Sequence, residues 1–207
     1  MGQNPDASTG LSLRIGLFGG TFDPPHRGHT AVVADVADVL ELDQVLWIPA
    51  NQPPYNSLTV PAPVALRIEM TRAAVEADLR FEVSEIEAER GGASYTVETV
   101  RALRESYPGT ILFLIIGTDQ FLEFNAWRSP EELLHLAKLV VMDRDGLRGR
   151  DHIPDVEGVE KVQFVDVRRV DISSTDVRAA VRDKRDVSAL VPTGVAEIIF
   201  REGLYGS

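Results

Sequence analysis

Cysteine is absent from this chain of 207 residues, and three short motifs of common enzyme classes are absent with it. Without cysteine the chain forms no disulfide and has no thiol nucleophile. The missing Gly-x-Ser-x-Gly motif weighs against a nucleophilic serine of the hydrolase type. Neither a Gly-Lys dipeptide nor a Gly-x-Gly-x-x-Gly run occurs, so the Walker phosphate loop is excluded and hydride transfer with a dinucleotide is disfavoured.

Long apolar runs and an excess of basic residues are also lacking. The longest apolar run, Ile111 to Ile116, is far too short to span a bilayer and fits a buried parallel strand. The formal net charge of -11 disfavours a nucleic-acid partner, because such proteins usually present a basic face. The polar segment 1–10 lacks the basic and apolar regions of a secretory signal. We therefore expect a cytoplasmic protein with no membrane segment and no nucleic-acid partner.

Strand-like and helix-like segments alternate along the chain, which predicts the fold class. The predicted strands are 14–18, 44–48, 80–83, 110–116, 139–142 and 162–167, and the predicted helices are 30–40, 64–76, 96–107 and 192–202. This alternation predicts an α/β protein with a Rossmann-like, doubly wound parallel sheet and helices on both faces. With 44% hydrophobic residues, we expect a flexible N-terminal tail at 1–12 and a single domain at 13–207.

The first segment with chemical content runs from Gly19 to His29, directly behind the first predicted strand. Its sequence, Gly-Gly-Thr-Phe-Asp-Pro-Pro-His-Arg-Gly-His, places a glycine turn and two histidines before a predicted helix. In an open parallel sheet, ligands bind at the carboxyl ends of the strands, and a helix N-terminus attracts anions. We expect the glycine backbone and the imidazoles of His26 and His29 to hold phosphoryl oxygens.

A second predicted anion site lies at residues 171–178, after the last predicted strand. The sequence Asp-Ile-Ser-Ser-Thr-Asp-Val-Arg supplies hydroxyl groups at the opening of a helix. With Ser174 near the helix start, Arg178 falls one turn further and can reach a polyphosphate at the helix end. Two such sites in one chain of this size indicate a long anionic ligand.

The two segments together resemble the nucleotidyltransferase superfamily with the HxGH signature, and specifically the bacterial nicotinate-nucleotide adenylyltransferases. The likeness runs from about Leu13 to the C-terminus, and smaller segments agree in order: 48–54, 94–99, 116–119 and Trp127. The resemblance implies transfer of the adenylyl group of ATP to nicotinate mononucleotide, which gives deamido-NAD and pyrophosphate. The phosphate oxygen of the mononucleotide attacks the α-phosphorus in line, so the enzyme supplies positioning and charge stabilisation rather than a nucleophile.

The resemblance also implies roles for individual residues. As catalytic groups, His29 hydrogen-bonds the α-phosphoryl group and His26 orients the phosphates. The implied ATP contacts are Gly19, Gly20, Thr21, Phe22, Ser174, Thr175 and Arg178. On the pyridine side, Trp127 stacks on the ring, and the backbone N–H of Arg128 and the hydroxyl of Thr96 receive its carboxylate. Gly117 and Asp119 complete the substrate contacts, with the carboxylate of Asp119 accepting a ribose hydroxyl.

The implied cofactor is Mg²⁺, bound mainly through the ATP phosphates and water, so no carboxylate cage is required. The acidic net charge must be offset locally, and Arg144, which follows a predicted strand, is expected to join the cations of the substrate site. A homo-oligomer is implied by the resemblance alone. The chain departs from the family at Tyr55-Asn56, where His-Lys is frequent, so a cation for the mononucleotide phosphate is missing there.

Several ATP-side assignments have a structural alternative. A His-x-x-His pair can be half of a metal site, although the sequence specifies no third ligand. Ser174 and Thr175 could simply cap a helix. Arg178 could be solvated or paired with Asp176 or Asp183.

The pyridine side and the function have alternatives as well. Thr96 and Asp119 could be helix N-caps, and Trp127 could be a core residue. A nicotinamide substrate would need an acceptor for its NH₂ group, and the sequence reveals none. The competing functions are phosphopantetheine adenylyl transfer, which uses the same fold, and a non-catalytic nucleotide sensor, which the two intact histidines disfavour.

Overall fold

A computed structural model describes residues 12–52, 61–143 and 151–206. In these residues one sheet of six parallel strands has the order β3-β2-β1-β4-β5-β6. The strands are β1 (Arg14–Gly20), β2 (Gln44–Pro49), β3 (Phe81–Val83), β4 (Ile111–Gly117), β5 (Lys138–Asp143) and β6 (Gln163–Asp166). The strand order reverses between β1 and β4, so the predicted doubly wound sheet is confirmed.

Eight α-helices accompany the strands in the described part of the chain. They are α1 (Arg27–Val39), α2 (Val64–Val75), α3 (Ile86–Arg90), α4 (Thr96–Ser106), α5 (Thr118–Leu122), α6 (Pro130–Leu136), α7 (Ser174–Arg182) and α8 (Thr193–Arg201). Single 3₁₀ turns occur at Phe124–Ala126 and Val159–Lys161. The three helices that the sequence did not predict, α3, α5 and α6, are five to seven residues long. Helical periodicity cannot be recognised over so few positions.

Apolar side chains of the strands alternate between the two faces of the sheet and form two cores. Ile15 and Leu17 of β1 point to one face, where α4 and α6 pack. Phe18 points to the other face, where α1 packs through Val32, Val33, Val36 and Ala37. Both faces are therefore covered by helices, as the alternation of strands and helices predicted.

A third apolar cluster joins α2 to the C-terminal helices. Met70 of α2 packs with Val177 of α7 and with Val195 and Ile199 of α8. This packing fixes α7 beside the carboxyl edge of the sheet, which brings residues 174–178 near the end of β1. None of the helices in the described ranges is long and apolar enough to cross a membrane.

Some predicted features fall on segments that are not described. Arg144 and the departure at Tyr55-Asn56 lie outside the described residues, as does the predicted tail apart from Ser12. The boundary between a tail and the domain therefore stays a prediction.

Candidate active site

A short loop, residues 21–25, crosses the carboxyl edge of the sheet between β1 and α1; we call it the signature loop. Phe22 in this loop has φ of 50°, a left-handed conformation that is rare for a residue with a side chain. Its ring is 3% exposed and packs against Phe18 and Trp47. Gly20 must lack a side chain here, because an added Cβ would lie 2.8 Å from the Phe22 ring. Aromatic packing thus holds the loop backbone at the strand end.

His26 and His29 form a reciprocal cap at the start of α1. His26 Nδ1 accepts from the His29 backbone N–H, and His29 Nδ1 accepts from the His26 backbone N–H, both at 3.3 Å. The rings stack with their centroids 3.6 Å apart. A neutral imidazole whose Nδ1 accepts a hydrogen bond carries its proton on Nε2. Each neutral ring therefore offers an Nε2–H donor on the edge away from the helix backbone.

Gly28 supports this ring pair by leaving room for it. A Cβ added at Gly28 would lie 3.0 Å from His26 Nδ1 and 3.1 Å from its Cε1. It would also meet the Ile172 carbonyl oxygen at 3.4 Å, in the segment that leads to α7. The constraint at Gly28 is thus the close packing of His26 and not a positive φ.

Gly28→Ala is expected to lower the free energy of unfolding by about 1–3 kcal/mol, the usual cost of an extra methyl in a filled space. Urea denaturation followed by circular dichroism measures this change. Gly19→Ala is the matched control, because its added Cβ would meet nothing closer than the Ile48 carbonyl oxygen at 4.0 Å. Equal stability of the two variants would contradict the packing argument.

The start of α7 lies directly against the signature loop. Ser174 Oγ donates to the Pro24 carbonyl oxygen at 2.8 Å. Ser173 is the N-cap of α7 and accepts from the backbone N–H of Asp176 at 3.1 Å, so capping is not the role of Ser174. The two segments that the sequence predicts to bind anions are therefore adjacent in space.

Arg178 points from α7 to the same loop. Its Nη1 donates to the Asp23 carbonyl oxygen at 2.7 Å, and its Nη2 donates to Thr175 Oγ1 at 3.2 Å. Its nearest carboxylate oxygen is Asp23 Oδ2 at 4.0 Å. The alternative pairing of Arg178 with Asp176 or Asp183 is therefore wrong.

Arg67 of α2 is a second cation at the loop, one that the sequence alone did not predict. Its side chain is 1% exposed, and its donors reach three backbone carbonyls: Thr21 at 2.7 Å, Ala62 at 2.8 Å and Asn51 at 3.2 Å. Burial lowers the pKa of Arg67, while the charge of Asp23 raises it. No sequence signal distinguishes an arginine of this kind within an ordinary helical pattern.

Asp23 balances these cations from within the loop. Its Oδ1 accepts from the Ala62 backbone N–H at 3.1 Å and from the Tyr205 hydroxyl at 2.7 Å. Burial raises the pKa of Tyr205, and its hydrogen bond to Asp23 raises it further. The hydroxyl therefore remains a donor to the carboxylate.

A cavity of about 210 Å³ opens beside the signature loop at the carboxyl ends of β1, β2 and β4. Its lining includes Gly19, Gly20 and Thr21 on one side and Thr96, Trp127 and Arg128 on the other. Gly117 and Asp119 lie on the same sheet edge but do not line the cavity, and Asp119 is exposed. The predicted pyridine-side residues Thr96, Trp127 and Arg128 thus share one cavity with the glycine turn.

The structure also gives the surroundings of the predicted pyridine-side residues. Trp127 is half-buried, with its ring centroid 5.4 Å from that of Phe124, so it packs on the core and also lines the cavity. The N-caps of α4 and α5 are Tyr95 and Gly117, so the alternative that Thr96 and Asp119 are N-caps is wrong. Both instead lie in the first turn of their helices, where backbone N–H groups lack intrahelical acceptors.

Charged groups also lie around the predicted pyridine-side residues. Arg128 donates to Glu98 Oε1 at 2.8 Å and lies 4.6 Å above the centre of the Tyr95 ring. Glu87, which is 7% exposed, lines the cavity and accepts from the Thr99 hydroxyl at 2.6 Å. Glu87 is an acceptor in the cavity that the sequence did not reveal, since nothing in its local pattern predicts burial.

The described ranges contain no group of three or more histidine, cysteine, aspartate or glutamate side chains arranged to hold a metal ion. The Nδ1 atoms of the two signature histidines both accept backbone hydrogen bonds.

Comparison with known sequences gives matches along nearly the whole chain. A family profile described as cytidylyltransferase-like matches residues 17–180. A "probable nicotinate-nucleotide adenylyltransferase" of Exiguobacterium sibiricum is 40% identical over 195 residues, which cover 94% of this chain and 100% of the relative. A protein of the same name from Corynebacterium kroppenstedtii is 39% identical over 192 residues, covering 93% of this chain and 90% of the relative.

Comparison with solved structures gives the same fold. The nicotinic acid mononucleotide adenylyltransferase of Plasmodium falciparum, solved in complex with NaAD, matches with a TM-score of 0.73 and 15% identity over 93% of this chain and 97% of its own. A putative nicotinate-nucleotide adenylyltransferase of Vibrio parahaemolyticus matches with a TM-score of 0.67 and 22% identity, covering 94% and 96% of the two chains. These likenesses show a common fold.

Proposed function

We infer that this chain, which belongs to the cytidylyltransferase-like family and within it to the nicotinate-nucleotide adenylyltransferases, transfers the adenylyl group of ATP to nicotinate mononucleotide. The products are deamido-NAD and pyrophosphate, so the enzyme acts in NAD biosynthesis. The observation that carries this function is the convergence of the histidine pair and the start of α7 on the signature loop. A cytoplasmic location and a homo-oligomeric state stay predictions.

The residues around the loop are proposed to hold the triphosphate. His29 donates its Nε2–H to the α-phosphoryl group, where negative charge grows in the transition state. His26, which is 3% exposed and stacked on His29, orients that ring and the phosphates. Arg178, together with Ser174 and Thr175, stabilises the pyrophosphate leaving group, because a guanidinium binds phosphate oxygens with two donors.

The glycine turn is proposed to approach the phosphates through its backbone. Gly19 and Gly20 lack side chains at the carboxyl end of β1, and the N–H groups of Thr21 and Phe22 follow directly. Both Thr21 and the glycines line the cavity, so a ligand in the cavity lies beside this backbone. A phosphate held by N–H groups needs no basic side chain at that point, which agrees with an acidic chain.

Enzymes of this kind use a divalent cation with ATP, and we propose Mg²⁺ for this one. The donor set of the described residues fits a metal held by the substrate, because it offers no three-residue protein cage. Mg²⁺ keeps several waters and binds substrate phosphates readily. When bound, it supplies positive charge to the phosphate oxygens.

The function is tested by offering the protein ATP and Mg²⁺ with nicotinate mononucleotide, nicotinamide mononucleotide or phosphopantetheine in turn. Released pyrophosphate and the adenylylated product are measured. We expect the highest kcat/KM with nicotinate mononucleotide, because Trp127, Thr96 and Arg128 line one cavity, where they can stack on the ring and donate to its carboxylate. A preference for the amide or for phosphopantetheine would contradict the substrate assignment. Absence of turnover with all three would favour a nucleotide sensor.

Trp127→Ala is expected to raise the KM for nicotinate mononucleotide about tenfold, or about 1.4 kcal/mol, with little change in the KM for ATP. The physical reason is loss of the ring platform on the pyridine side of the cavity. Initial-rate kinetics with each substrate varied in turn measures both constants. Trp127→Phe is the control, because it keeps an aromatic face and should stay within about threefold of the unmodified enzyme. Equal effects of the two substitutions would refute stacking.

A further inference from the structure

Arg67 connects three backbone segments that border the proposed nucleotide site. Its Nη1 donates to Thr21 in the signature loop, its Nη2 to Asn51 after β2, and its Nε to Ala62 before α2. A side chain that is 1% exposed and charged is costly to bury unless its donors are satisfied. Here three donors are satisfied by backbone, which indicates that the side chain organises these segments.

The contact with Thr21 bears on the direction of the next N–H group. The Thr21 carbonyl and the Phe22 N–H belong to one peptide group, and in a trans peptide they point in opposite directions. Holding the Thr21 oxygen on Arg67 therefore fixes the Phe22 N–H on the side away from Arg67. Phe22 has a left-handed φ of 50°, so its backbone requires such external support.

The planar fork of arginine suits this position. Its donors leave in fixed directions and can reach three carbonyls at once, whereas the ammonium of lysine is compact and strongly hydrated. Asp23 lies in the same loop and contributes a carboxylate charge that favours the charged form of Arg67. Burial has the larger effect and lowers the pKa of Arg67, so Asp23 offsets part of that effect.

We propose that Arg67 is a positioning residue of the adenylyl transfer: it holds the Thr21–Phe22 peptide so that the Phe22 N–H faces the phosphates of ATP. This inference rests on the proposed function, since it concerns the phosphates of that substrate. Arg67 itself contacts backbone carbonyls and acts on the reaction through Phe22.

The test compares Arg67→Lys with Arg72→Lys, which changes an exposed arginine of the same helix, α2, that pairs with Glu85. We expect kcat to fall about 30-fold in Arg67→Lys while the KM for nicotinate mononucleotide changes less than threefold. Arg72→Lys should behave as the unmodified enzyme. Ile199→Ala, a substitution in the third apolar cluster, is the stability control: it shows how much kcat falls when only the stability of the protein is reduced. The positioning role would be overturned if Arg67→Lys lost no more kcat than a core variant, such as Ile199→Ala, with the same melting temperature.

Two further measurements report on the peptide itself. The Phe22 amide resonance should shift in Arg67→Lys and stay in place in Arg72→Lys. If Arg67→Lys does not fold, a crystal structure of the unmodified enzyme with a non-hydrolysable ATP analogue tests the inference instead. A hydrogen bond from the Phe22 N–H to a phosphate oxygen supports the inference, and any other direction of this N–H overturns it. An unmodified enzyme that does not use nicotinate mononucleotide overturns the proposed function, whereas an active one whose Arg67→Lys variant equals Arg72→Lys overturns this inference alone.

Discussion

Replacing His29 with alanine is expected to lower kcat by a factor of about 100 or more, or about 2.7 kcal/mol in transition-state stabilisation. The structure gives the reason in the orientation of the ring. His29 Nδ1 accepts the His26 backbone N–H, so the neutral ring carries its proton on Nε2, the atom that is proposed to donate to a phosphoryl oxygen. Steady-state kinetics with saturating ATP and nicotinate mononucleotide measures the loss.

The same substitution removes one half of the cap of α1, which costs about 0.5–2 kcal/mol of stability. His29→Gln separates the two effects, because glutamine at this helix position can still accept the capping N–H but lacks the imidazole donor. We expect His29→Gln to be nearly as slow as His29→Ala and more stable. His135→Ala, at an exposed histidine of α6, is the matched control and should keep full activity. Turnover of His29→Ala near that of the control would eliminate the proposed role.

Arg178→Ala is the second substitution with a large expected effect, about 100-fold in kcat/KM for ATP. A charged hydrogen-bonding pair with the leaving pyrophosphate is worth about 1.5–3 kcal/mol, and 100-fold corresponds to about 2.7 kcal/mol. The guanidinium lies between the Asp23 carbonyl and Thr175, at the convergence of the two motifs. Varying ATP at fixed nicotinate mononucleotide measures the change.

Arg182→Ala is the control for Arg178→Ala because it removes an arginine one turn further along α7. Arg182 is exposed and its nearest carboxylate is that of Asp183, 3.8 Å away. We expect this variant to keep its kcat/KM for ATP within about twofold. Similar losses in both variants would mean that α7 contributes general positive charge rather than a specific contact.

The fold and the position of the site follow from local patterns in the sequence. Strands such as β4 are continuous apolar runs, and parallel strands place their carboxyl ends on one edge, so Gly19 and Ser174 could be assigned to the same edge. The adjacency of the two motifs follows from topology in this way. Which atoms touch does not, because it depends on how α7 packs on α2.

The residues that the sequence did not reveal owe their roles to tertiary contacts. Arg67 resembles any other arginine of a helix, and only the folded chain brings Thr21, Asn51 and Ala62 together around it. Glu87 belongs to a helix of five residues, and its hydrogen-bond partner Thr99 lies in the next helix. Thr96 and Asp119 are residue types that commonly cap helices, but the N-caps of α4 and α5 lie one residue before Thr96 and two residues before Asp119.

The hydrogen bond between Tyr205 and Asp23 spans 182 positions of the chain. Contacts between such distant positions form late, because the entropy of closing the intervening chain must be overcome first. The signature loop should therefore reach its native structure only after the earlier strands and the final helices have come together. A nucleotide that binds at this loop would stabilise both ends of the chain at once by mass action. Added ATP should therefore slow proteolysis within α8 as well as near the signature loop.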